Sequence, residues 1–153
     1  MRIRVLRFTS RAVLLLVGLT LLLLPVGCWS EEQIEVAVLY WGQVQTSAGA
    51  PVPGRTVHFA AARFWGDTQD DAVSVQRRSA ATSSDGRTYL DVRFMLSSGQ
   101  SIVLAASTTT TDPLANRNQS VVREITFAQA HDQEEKQGGV GLASFELTAE
   151  FTE

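Results

Sequence analysis

The chain has 153 residues, 44% hydrophobic and 19% charged, which is one domain's worth of ordinary globular mixture. Its net charge of −3 conceals a split: Arg2, Arg4, Arg7 and Arg11 precede all 16 acidic residues, and setting aside residues 1–27 leaves 9 − 16 = −7. A body of that sign, with Lys136 its one lysine, argues against a nucleic-acid partner, because neutralising phosphates takes clustered Lys and Arg. A single cysteine, Cys28, also excludes an internal disulfide framework.

The four arginines are followed by residues 12–24, an apolar run broken only by Gly18 and Thr20, and then by PVGC at 25–28. Those are the n-region, h-region and small-residue end of a secretory signal, and 13 residues fall short of the roughly 20 that cross a hydrocarbon core. The PVGC segment resembles the lipobox of bacterial lipoproteins, in which Gly or Ala precedes the cysteine that receives a diacylglycerol. Gly27 and Cys28 match it, Val26 is tolerated there, and Pro25 stands where the family prefers Leu.

The resemblance implies that residues 1–27 are a signal peptide, that Cys28 becomes the lipidated first residue, and that the protein is held on the extracytoplasmic side of a bacterial membrane. Trp29 occupies the position where Asp would favour the inner membrane, which points to the outer membrane where there is one. Residues 28–33 form a short acidic tether; the steps from Cys28 to Ile34 span at most about 20 Å, so the domain at 34–153 must stay close to the bilayer.

Strand patterns follow in order along the body. Ile34, Val36, Val38 and Tyr40 alternate with Glu35, Ala37, Leu39 and Trp41, a period of two that predicts a strand with Trp41 packed in the core. SAGAPVPG then breaks the chain before a second strand at 55–61, and residues 60–65 could form a short helical turn. A weaker strand is expected at 73–78, and a clean one after the SSDG turn, with Leu90, Val92, Phe94 and Leu96 on one face.

Ser97, Ser98 and Gly99 lead into SIVLAAS at 101–107, a spacing that suggests a hairpin. Strands at 121–128 and 143–151 complete the set, with the charged, glycine-rich segment 131–141 read as an exposed hairpin loop between them. Seven short strands separated by turns predict an all-β sandwich.

GAPVPGRTVHF at 49–59 and TSSDGRTYLDV at 82–92 resemble prealbumin-like and bacterial immunoglobulin-like modules, as in carboxypeptidase regulatory regions and invasin-type surface proteins. The resemblance implies a sandwich of that immunoglobulin-like or prealbumin-like kind with no active site of its own. Prealbumin-like sandwiches also include iron enzymes with two Tyr and two His ligands. Here Tyr40, His58, Tyr89 and His131 come in the wrong order for that set, and no cofactor is expected.

What remains is a non-enzymatic binding or structural module whose partner is an envelope protein or glycan, reached through loops or a free strand edge. The alternative is a glycan or calcium site: Phe64 and Trp65 could form an aromatic contact surface beside Asp67, Asp70 and Asp71, whose carboxylates suit a hard cation. Neither HxH nor HExxH occurs, so no zinc site is expected at His58 or His131.

Overall fold

The alternation that opens the body becomes a long strand because every second side chain can be buried on one side. In the computed structural model, which describes residues 32–66 and 72–153, strand β1 (Gln33–Gln45) buries Ile34, Val36, Val38, Tyr40 and Val44 almost completely. The signal segment 1–27, Cys28 and the tether as far as residue 31 lie outside the described residues, as do Asp67, Asp70 and Asp71.

The further elements are β2 (Thr56–Trp65), β3 (Ala72–Ala81), β4 (Arg87–Ser97), β5 (Gln100–Ser107), β6 (Val121–Thr126), helix α1 (Phe127–Lys136) and β7 (Leu142–Thr152). The strands form two packed sheets, a narrow one ordered β4-β1-β7 and a wide one ordered β3-β2-β5-β6. The protein is an all-β sandwich of seven strands. Neighbours are antiparallel except β1 and β7, which run parallel from Glu35 opposite Leu142 to Gln45 opposite Thr152.

Between the sheets, Leu90, Val92, Phe94 and Leu96 of β4 meet Val57, Phe59 and Ala61 of β2 and Ile102, Leu104 and Ala106 of β5, with Ile125 of β6 at the side. The outward residues of β4, Asp91, Arg93 and Met95, are exposed as their alternation implies. Tyr40 sits edge-on to Phe59 with ring centres 5.8 Å apart, and its hydroxyl donates to the Val121 carbonyl at 2.9 Å, tying the narrow sheet to the last strand of the wide one. Gly42 leaves room for this packing: a Cβ there would lie 2.9 Å from Phe59 Cζ and 3.0 Å from Val57 Cγ1.

Strand β5 shows no alternation because both its faces are covered, and all its residues are buried. Loop 108–120 supplies the outer cover: Leu114, with Val122, packs on Ala62, Phe64 and Val103, and Pro113 is fully buried. Ser107 holds that loop, its hydroxyl donating to the Gln119 carbonyl at 2.7 Å and accepting from the Thr109 N–H at 3.1 Å.

Three expectations are corrected. The segment joining β4 to β5 is no hairpin: β4 pairs with β1 and β5 with β2, so Ser98 and Gly99 carry the chain round a corner between sheets, where Leu96 and Ser97 are both buried. Residues 60–65 are strand and not helix, the small alanines of β2 being buried on both faces. The sixth strand stops at Thr126, and much of the expected loop is α1. Its start is a capping box, in which the Thr126 hydroxyl accepts from the Gln129 N–H and the Gln129 side chain accepts from the Thr126 N–H.

Substituting Gly42→Ala should lower stability by about 1–3 kcal/mol through overpacking, read as a reduced urea midpoint at unchanged slope. Burial pushes the Tyr40 hydroxyl up to about 12, with Arg123 pulling the other way. The folded state thus holds this proton more tightly than the unfolded chain. The associated stability is intact below about pH 10 and is lost as pH rises toward 12, on the order of 3 kcal/mol. Tyr40→Phe should remove that alkaline loss while costing about 1 kcal/mol at neutral pH, checked by denaturation across pH.

Candidate functional site

Adjacent residues of a strand point to opposite faces, so Phe64 and Trp65 cannot share one surface. Phe64 lies beneath loop 108–120 at 6% exposure, whereas Trp65 is 46% exposed at the end of β2 and passes within 3.7 Å of the site a Gly99 Cβ would take. The paired aromatic surface expected of them does not form. Trp65 alone stands at the end of β2 that leads into segment 67–71.

Trp41, expected in the core, is half-buried on the outer face of the narrow sheet. Its ring lies 5.3 Å from that of Tyr89, its Nε1 donates to Glu146 Oε1 at 2.9 Å, and the Arg78 guanidinium sits 5.0 Å over Tyr89. The Trp41 and Tyr89 rings are tilted by 58°, so they brace the sheet's outer face and do not make a flat stacking surface. Tyr40 points into the sandwich and Tyr89 out of it, so these two tyrosines cannot ligate one iron.

On α1, His131, Asp132 and Glu135 place donor atoms within 4.8 Å of one another. His131 already faces two exposed carboxylates there, 3.4 Å from Glu32 and 3.9 Å from Glu135, in a cluster at the protein surface. His58 bonds Ser79 at 2.7 Å across the β2–β3 pair. Its partner is structural.

The feature that sequence reasoning did not locate is the edge of β7. Because the Glu35 N–H bonds Gly141 O and the Glu153 N–H bonds Gln45 O, the odd-numbered residues of this strand turn their backbone groups toward β1 and the even-numbered ones turn theirs away. At Ser144 those outward groups are met by α1 and the residue after it. The Gln137 side-chain amide accepts from Ser144 N at 2.9 Å and donates to Ser144 O at 3.2 Å, and Gln133 adds a bond at 3.3 Å. One turn earlier, Glu134 takes the Gly141 N–H at 2.6 Å.

Gln137 therefore imitates a neighbouring strand at one position and no further. Among the described residues, nothing bonds the outward N–H and C=O groups of Glu146, Thr148 and Glu150. On the inner side of the same stretch, Phe145, Leu147 and Phe151 are only half-buried, in contrast to the fully covered inner residues of β4 at the opposite edge. An open groove of about 290 Å³ runs here, lined by Arg123 and Ile125 of β6, Phe145 and Leu147 of β7, and Gln129, Asp132, Gln133 and Lys136 of α1.

No family model matches the chain, and no curated protein matches it. If Gln137 caps the edge as described, Gln137→Ala should speed amide hydrogen exchange at Ser144 by about tenfold or more, leaving Phe145 and Leu147 protected by their bonds to β1. Residue-resolved exchange measurements check this.

Proposed function

We propose that this chain is a bacterial envelope lipoprotein whose β-sandwich is a non-enzymatic binding or structural module. Its supports are the arginine-rich leader, the apolar run and the Gly27-Cys28 pair in the sequence. Removal of residues 1–27 and diacylation of Cys28 would fasten the body to a membrane, since burial of acyl chains contributes about 0.8 kcal/mol per CH₂ and two or three chains hold firmly. The first strand begins at Gln33, 33 − 28 = 5 residues after that sulfur, so the domain would work close to the bilayer.

The sheet partition departs from that of an immunoglobulin constant domain. An immunoglobulin constant domain groups its first, second, fifth and fourth strands against the other three. Here the first strand lies with the fourth and seventh. The observation that carries a binding role is the uncapped stretch of β7, because unpaired backbone groups beside half-buried apolar side chains are what an incoming strand completes.

The anchor is tested by Cys28→Ser, which should move the protein from the membrane pellet to the soluble fraction and leave an unlipidated mass. Retention in the pellet would contradict it. A glycan or calcium role is the second reading, favoured by the exposure of Trp65 beside segment 67–71. It requires the melting temperature to rise with millimolar calcium or with envelope polysaccharide, and an unchanged melting temperature removes it.

A further inference from the structure

The two sheets differ in width by one strand. Strand β4 lies against β2, β3 and β5 of the wide sheet, and β7 is the other edge of the narrow one. Beside β7 and next to β6 lies the open groove of about 290 Å³, walled by Arg123 and Ile125 of β6, Phe145 and Leu147 of β7, and Gln129, Asp132, Gln133 and Lys136 of α1. Helix α1 packs on β7, β1 and β6, and its side and end bond the outward backbone groups of β7 at Ser144.

We propose that the free stretch 146–152 of β7 is a docking site for an extended peptide segment of a partner protein, with apolar and basic residues in alternation. The site rests on the reading of the domain as a binding module and not on the lipid anchor. Glu146, Thr148, Glu150 and Thr152 each turn one donor and one acceptor outward, the requirement for adding a strand. A bound strand's inward side chains would meet Leu147 and Phe151 of β7 and Val121 of β6, all only partly buried in the free protein, with Arg123 of β6 among them, which favours apolar over basic residues at those positions. Its outward side chains would lie beside Glu146 and Glu150, on a body whose net charge is −7, computed as 9 − 16 for residues 28–153. That environment selects Lys or Arg at alternate positions.

β7 itself differs from the other edges. It runs from Leu142 to Thr152 with no proline and no basic residue, whereas β3 carries Arg77 and Arg78, β4 carries Arg87 and Arg93, and β6 is short and carries Arg123. Positive charge at an edge repels a basic strand, and short edges offer few bonds. A second copy of this chain fits less well. Antiparallel self-pairing that clears α1 and keeps glutamates from facing each other must centre on Ala149, where Glu146 faces Thr152 and Thr148 faces Glu150, leaving all the glutamates without a counter-charge.

The test uses the full chain in detergent and a capped peptide of about seven residues alternating lysine and valine, with binding followed by fluorescence anisotropy. Saturable binding that weakens about tenfold in Thr148→Pro supports the site. That proline removes an outward N–H and no bond to β1, and unchanged melting confirms the fold. The double change Glu146→Gln with Glu150→Gln should weaken binding similarly, flatten its salt dependence and serve if the proline variant does not fold. Asp91→Asn, on the far strand of the narrow sheet, should leave binding unchanged.

A peptide alternating glutamate and valine should bind at least about tenfold more weakly. Failure of the lysine peptide to bind, equal binding by both peptides, or indifference to both edge variants would overturn the proposal. So would sedimentation as a dimer that Thr148→Pro dissociates, which would assign the edge to a second copy. None of these outcomes bears on membrane retention, so the anchor stands or falls separately through Cys28→Ser.

Discussion

The structure depends on β1 being paired on both sides while its inner face is buried throughout. Ile34, Val36, Val38, Tyr40 and Val44 form the floor of the core, β4 bonds one side and β7 the other, and Tyr40 reaches across to β6. Because the first and last strands run parallel, the chain closes on itself at β1, and the final strand is left with an outer edge. A narrow sheet facing a wide one is the direct consequence.

Helix α1 answers that mismatch in part. It buries Ala130 and packs Phe127 against the core, and beside it the Gln137 amide stands in for a strand at Ser144. Such capping protects an edge that would otherwise pair indiscriminately. It stops where α1 stops. Beyond Ser144 the edge combines open backbone groups, half-covered apolar side chains and two outward glutamates.

The strands were legible because one-sided burial leaves a period of two, and β1, β4 and β7 follow it residue by residue. Where both faces are covered the period vanishes, so the extent of β2 through its alanines and the burial of Phe64 beneath loop 108–120 depend on contacts distant in sequence. The helix had a local signal, Thr126 three residues before Gln129 with Gly138 and Gly139 beyond its end, outweighed by the charge and glycine of the segment. The corner at Ser98 had none: a two-residue link looks the same whether the strands pair or part to different sheets. Trp41 shows the limit of hydrophobicity as a guide, since its parity in β1, opposite to that of Tyr40, puts it outside with Tyr89 and Glu146.

An edge of this kind cannot be read from residue types, because it is defined by which strand has no neighbour. In the proposed function, a short acidic tether and an open edge would together make a body that is held near a surface and completed by a partner. The most direct measurement of the central claim is the set of inter-strand nuclear Overhauser contacts of β7. They should link Ala143, Phe145, Leu147, Ala149 and Phe151 to β1 in parallel register, with α1 meeting the other side near Ser144. A ladder of contacts joining residues 146–152 to another strand of the same chain would contradict it.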